Sequence, residues 1–135
     1  FTTPPPTIKV RGCQLDLYRH VNNARYLEFL EEARWSFLEV TNNLDILDQH
    51  GYAFAVVNIN INYRRAAYMG EVLRITTPMK SVGGRRCVMH QLITLKDSDT
   101  VIADADVTFV IVDTQAEKAV RLEGELRTSM ERMAG

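Results

Sequence analysis

Cysteine is scarce in this chain of 135 residues: only Cys13 and Cys87 occur, far apart and without metal-ligand spacing. That excludes a disulfide scaffold and a cysteine-built zinc site. No apolar run approaches the ~20 residues of a membrane span, and no secretory signal opens the chain, so no membrane partner is expected. The two cysteines therefore read as reduced thiols of a cytoplasmic protein. Charge of one sign is missing too. Sixteen Lys and Arg stand against 17 Asp and Glu, a formal net charge of −1, which argues against a broad grip on nucleic acid. There is no G-x-S-x-G elbow, no P-loop and no G-x-G-x-x-G, and His20, His50 and His90 are scattered. What is present is ordinary globular composition, 46% hydrophobic and 24% charged. A chain of this length buries roughly two-thirds of its unfolded surface and needs neither disulfide nor metal to hold a core.

The pattern along the chain is that of one α+β domain. Residues 1–7 form a flexible leader, rich in proline, and residues 8–135 the domain. Residues 8–13 alternate as a short strand. A helix is expected over residues 23–40, with Tyr26, Leu30, Ala33, Phe37 and Val40 on one stripe. Glu28, Glu32, Glu39 and Arg25 fall opposite, and Trp35 among the polar positions hints at a second covered surface. Glu31, Glu32 and Arg34 are read as helix-face ion pairs. A shorter helix follows over residues 43–50, ending at Gly51. The period then changes to two. In residues 54–65, Val57, Ile59, Ile61 and Tyr63 are expected on one face, and Asn58, Asn60, Asn62 and Arg64 on the other. The asparagines read as a hydrated or subunit-facing surface. Further strands are expected over residues 71–81, 85–95 and 101–113, with turns at Gly83-Gly84 and Asp97-Ser98-Asp99. The tail, residues 123–133, is helical in composition.

One dense polar segment stands out, residues 16–26, DLYRHVNNARY. It places a carboxylate, an imidazole and two amides in the loop that feeds the long helix. A helix N-terminus offers free amide donors and a partial positive charge, which can hold an oxyanion. A carboxylate opposite could serve as nucleophile or general base. From residue types alone, a capped and solvated turn is the more ordinary account of the segment, with Asn22 as the N-cap.

The stretch VRGCQLDLYRHVNNARYLEFLEEAR, residues 10–34, resembles the signature of the 4-hydroxybenzoyl-CoA thioesterase-like hotdog family. That signature runs V-R-x-x-x-x-D-x-x-G-H-V-N-N-x-x-Y and then E-x-A-R. Within the family the chain is most similar to the FadM/YbgC-type long-chain acyl-CoA thioesterase III group, through VVNININYRR (56–65) and LEGELR (122–127). The resemblance implies a hotdog fold, a long central helix wrapped by a five- or six-stranded antiparallel sheet.

It also implies roles. Asp16 occupies the catalytic carboxylate position, His20 and Asn23 belong to the H-V-N-N that starts the helix, and the amide near Asn23 would polarise a thioester carbonyl. Asn22 and Tyr26, the remaining polar members of the motif, are assigned to the substrate. Arg85 and Arg86 follow the Gly83-Gly84 turn, where some family members hold the CoA phosphates; the alternative is a pair of solvated hairpin residues. Two positions depart from the family pattern. Gln14 stands where many members carry a second acid, and Arg19 where most carry glycine.

The implied activity is hydrolysis of a medium- to long-chain fatty acyl-CoA to free acid and CoA. No metal or redox cofactor is called for, because a thioester is already activated. The family site lies between subunits, so a homodimer or homotetramer is expected. The competing readings are a non-catalytic acyl-thioester-binding module and a hotdog enoyl-thioester hydratase, which would normally need an Asp/His pair in another arrangement.

Overall fold

The computed structural model describes residues 7–12, 21, 23–40 and 43–132. The strands are β1 (Thr7–Lys9), β2 (Tyr52–Tyr63), β3 (Val72–Thr76), β4 (Met79–Val82), β5 (Arg86–Leu95), β6 (Val101–Asp113) and β7 (Lys118–Ala119). The helices are α1 (Asn23–Val40), α2 (Asn43–Gln49) and α3 (Gly124–Arg132). All strand pairs are antiparallel, in the order β1-β3-β5-β6-β2, with β4 also on β5 and β7 also on β6. This is the hotdog arrangement: one long helix against the concave face of a curled sheet.

Period and burial agree closely in the centre of the sheet. In β6, Ala103, Ala105, Val107, Phe109 and Ile111 are buried, while the alternate residues Asp104, Asp106, Thr108 and Val110 are half-buried. Removing the inward set from water at about 25 cal/mol per Å² is what holds sheet to helix. The helix contributes Tyr26, Phe29, Leu30, Ala33 and Leu38. Its buried stripe is thus turned slightly from the expected one: Leu38 is buried and Phe37 half-buried. Cys87, also buried, has its thiol pushed up to about 11, chiefly by desolvation.

Three strands differ from expectation. β1 starts at Thr7 and stops at Lys9; Val10 then binds the loop before β3, donating to the Glu71 carbonyl and accepting from the Gly70 amide. The strand expected over residues 71–81 is broken into β3 and β4 at Thr77–Pro78, because Pro78 has no amide to continue a ladder. Its carbonyl still accepts from His90, at 2.9 Å.

The third difference is in β2, where the register on β6 shifts between Val56 and Asn58. Val57 is the extra residue of a bulge. Before it, Phe54 and Val56 pair with Ile111 and Phe109; after it, Ile59 and Ile61 pair with Val107 and Ala105. Inward positions therefore change from even to odd, so Val57, expected to share a face with Ile59, is 51% exposed.

The asparagine face looks outward, as expected. Asn58, Asn60 and Asn62 pair with Thr108, Asp106 and Asp104 on the side away from α1. Asn62 donates to Asp104 at 3.1 Å, and Arg64 does so at 2.7 Å.

Candidate active site

α1 begins at Asn23, and the N–H groups of its first turn have no acceptor within the helix. That turn carries no acidic side chain, so the partial positive charge of the helix end favours an electron-rich group. The neighbouring chain holds this end in place. The Val21 amide donates to the Ala67 carbonyl at 3.0 Å, and the Ala67 amide donates to the Tyr26 hydroxyl at 3.1 Å. Tyr63, last in β2, donates its hydroxyl to the Asn23 carbonyl at 3.2 Å. Behind it, Arg65 forms a bidentate pair with Glu71 at 3.2 Å, and Glu71 accepts the Tyr68 amide at 2.8 Å.

Around this helix end the surface is unusually apolar: Leu27, Tyr63, Tyr68 and Met69 are all more than one-third exposed. Tyr63, Tyr68 and Met69 were not singled out by the sequence. Their signal is three-dimensional, since the β2–β3 connection returns to the helix start only through the fold. Tyr26 takes a supporting position. It is 3% exposed, its ring lies 5.5 Å from that of Tyr63, and burial raises its hydroxyl pKa.

Asp16, His20 and Asn22 lie outside the described residues, as do Gln14 and Arg19.

Arg85 and Arg86 are exposed on the β4–β5 hairpin. The hairpin is sharply built. Gly83 donates to the Arg86 carbonyl at 2.7 Å, and a Cβ on Gly83 would come within 2.9 Å of that oxygen. Arg127 of α3 reaches up to the Gly83, Leu122 and Val82 carbonyls at 3.2, 3.3 and 3.4 Å. Within one chain, however, this tip is remote from Asn23. Arg86 pairs with Val110, whereas Ile93 pairs with Ala103, the partner of Tyr63. Seven residues along β5 at ~3.3 Å each separate the two levels by roughly 23 Å.

Arg34 differs from its expected place on an ion-paired helix face. It is 7% exposed and donates from Nη1 to Gln91 Oε1 at 3.0 Å. Gln91, fully buried on β5, in turn donates to the Leu30 carbonyl at 3.0 Å and to Thr77 Oγ1 at 3.2 Å. Burial lowers the guanidinium pKa, and the charge of Glu31 opposes this. The helix turns Arg34 inward because its neighbours Leu30 and Leu38 are core residues on the same side.

An Asp/His pair does exist. His90 Nδ1 lies 2.8 Å from Asp106 Oδ1, and Lys80 donates to the other oxygen at 3.0 Å. The pair stands on the outward face of the sheet, opposite α1. Among the described residues, no three His, Cys, Asp or Glu side chains are grouped to hold a metal ion. Among them, too, no helix is long and apolar enough to cross a membrane.

Comparison with known proteins agrees with this geometry. The pattern of the Thioesterase-like superfamily matches residues 10–129. The long-chain acyl-CoA thioesterase FadM of Escherichia coli (strain K12) is 52% identical over 126 residues, covering 93% of this chain and 96% of that protein. The acyl-CoA thioesterase YbgC of Haemophilus influenzae is 29% identical over 111 residues, 81% of this chain and 80% of that protein. The crystal structure of the probable thioesterase YbaW from Escherichia coli superposes with a TM-score of 0.92 at 50% identity, covering 98% of this chain and 100% of that one. With the curled sheet and a match over most of its length, the chain belongs to the thioesterase-like superfamily of hotdog proteins.

Proposed function

We propose that this protein hydrolyses long-chain fatty acyl-CoA thioesters at the start of α1. The observation that carries the reading is the N-terminus of α1, without an acidic side chain in its first turn, braced by Tyr63 and Ala67 and bordered by exposed apolar side chains. The likeness to FadM, a long-chain acyl-CoA thioesterase, over 93% of the chain supports the thioester chemistry and favours a long acyl chain. The first-turn amides would receive the carbonyl oxygen as it gains charge, a term of ~3 kcal/mol per donor. Asp16, seven residues before Asn23, would attack the carbonyl carbon or activate a water that does so. His20 and Asn22 would shape the loop between them. In either route the thiolate of CoA departs and water provides the oxygen of the acid.

The same reading calls for a second copy of the chain. β2 is the outer strand of its sheet and presents a 12-residue edge, a length that proteins seldom leave unpaired. Antiparallel pairing of two such edges sets the Tyr63 end of one beside the Tyr52 end of the other. The second copy's Arg85–Arg86 hairpin then comes level with the first copy's Asn23. The along-strand separation of roughly 23 Å within one chain is thereby bridged, which would bring the guanidiniums toward the CoA phosphates.

Thiol release from a series of acyl-CoA chain lengths tests the reading, with Asp16→Asn alongside. Turnover should rise with chain length and fall at least ~10²-fold in the variant, with an unchanged melting temperature. Tight acyl-CoA binding without thiol release, or full activity in Asp16→Asn, would overturn it. Sedimentation at micromolar protein should show a dimer or larger; a fully active monomer would remove the shared site.

A further inference from the structure

The tip of the β4–β5 hairpin is tied to α3 through its carbonyls. Those of Val82 and Gly83 accept from Arg127 Nη2 at 3.4 Å and Nη1 at 3.2 Å, and that of Gly84 accepts from the Leu122 amide at 2.7 Å. Three consecutive carbonyls are thus drawn to one short segment, residues 122–127. Arg127 Nη1 also holds the Leu122 carbonyl at 3.3 Å, and Nε pairs with Glu131 at 2.7 Å. Every nitrogen of this guanidinium therefore has an acceptor within the chain. The segment itself is anchored, since Leu122, Leu126 and Met130 are buried in the core. The tip, by contrast, carries Gly83 and Gly84 in succession, the residue type with the freest backbone. Left to its own strands, such a turn would move the two exposed guanidiniums that follow it, Arg85 and Arg86.

We infer, resting on the role proposed for Arg85 and Arg86, that Arg127 is a positioning residue for the nucleotide end of CoA. It holds the Gly83-Gly84 turn so that the two arginines meet the phosphates in a fixed arrangement. Arg127 acts through the hairpin, because its own donors are engaged by Val82, Gly83, Leu122 and Glu131. Preorganisation counts here: a phosphate contact made from a mobile turn loses part of its strength to the cost of ordering that turn. A guanidinium suits the task because its planar fork can span several carbonyls at once.

CoA is titrated by calorimetry into the intact protein, into Arg127→Met, into the double variant Arg85→Ala with Arg86→Ala, and into the three combined. Arg127→Met keeps an apolar stem and removes every donor. It should weaken CoA by about three- to tenfold, yet add less than about twofold once Arg85 and Arg86 are alanine, because coupled residues are not additive. In thiol release the same variant should raise KM for acyl-CoA by a like factor, and leave KM for a short thioester lacking the nucleotide where it was. A general loss of structure would move both. An equal loss in both backgrounds would overturn the proposal, since Arg127 would then act on the phosphates by its own charge. So would CoA affinity unaltered by Arg127→Met but weakened by the alanine pair, a result that leaves the role of Arg85 and Arg86 standing. If CoA fails to bind, or the alanine pair leaves its affinity unchanged, that role fails and this one with it. Coupling is reciprocal, so bound CoA should slow hydrogen exchange at the Leu122 amide of the wild-type protein several-fold. Exchange that ignores CoA would overturn the proposal even if Arg127→Met does not fold.

Discussion

The hydroxyl of Tyr63 donates to the carbonyl of Asn23 at 3.2 Å, joining the last residue of β2 to the first residue of α1. The free strand edge and the helix start are thus mechanically one unit. Whatever pairs with β2 therefore bears on the position of the first-turn amides of α1.

Tyr63→Phe keeps the ring against Tyr26 and removes only the donor. A net hydrogen bond at a half-exposed site is worth about 1 kcal/mol, so the melting temperature should shift by only a few degrees. Thiol release should lose several-fold in kcat, because the amide geometry loosens. Unaltered kcat would mean that β2 does not position the helix end.

The buried Gln91 offers a stability test independent of activity. Gln91→Leu leaves Arg34 Nη1 without its acceptor in the core, while the Leu30 carbonyl keeps its bond within α1. Stranding a buried charged donor should cost about 2–3 kcal/mol, read from urea unfolding. A cost below about 0.5 kcal/mol would show that water replaces the side chain.

Arg85 and Arg86 can be separated from catalysis by substrate choice. Replacing both with alanine should raise KM for acyl-CoA several-fold, more at low salt than at high, with kcat nearly constant. A short thioester lacking the nucleotide should be untouched. Gly83→Ala, which forces a Cβ against the Arg86 carbonyl, should reproduce the KM effect by moving the hairpin. Equal effects on both substrates would reduce the two arginines to ordinary turn residues.

Acid should weaken the outward sheet face. The Arg64 hydrogen bond holds the Asp104 carboxyl below its usual range, and hydrogen bonds from His90 and then Lys80 do the same for Asp106. A folded-state pKa below the unfolded value gives stability that is complete above the unfolded carboxylate pKa of about 3.9. It is lost as pH falls through the lower folded values. Melting temperatures measured from pH 6 down to pH 2.5 should therefore drop, and Asp104→Asn should flatten the drop. Salt should blunt it as well, since these pairs are largely exposed.

Much of this was legible in the sequence where local pattern and tertiary demand coincide. α1 runs over residues 23–40 and β6 over residues 101–113, both as read, because an unbroken apolar period specifies each. The hotdog assignment rested on the motif of residues 10–34, and the family match bears it out. What could not be read depends on partners distant in sequence. Arg34 looks like a surface arginine until Gln91, 57 positions later, is placed beneath it. His90 and Asp106 meet only through the β5–β6 register. The arginines at 85 and 86 follow a turn as expected, but strand direction decides that this turn lies at the far end of α1. The loop carrying Asp16 and His20 lies outside the described residues, so their roles rest on the motif.

The bulge at Val57 makes β2 a strand with two phases, and that has a consequence for which length changes it tolerates. Removing Val57 would join Val56 to Asn58 and restore plain alternation, with Phe54, Val56, Ile59 and Ile61 all still inward and every asparagine outward. Loss of Asn60 instead would leave the bulge in place and turn Ile61 to water. A single-residue deletion is thus tolerable at one position of this strand and harmful a few residues on. In a set of one-codon deletions across residues 52–63, folded protein should survive best at Val57.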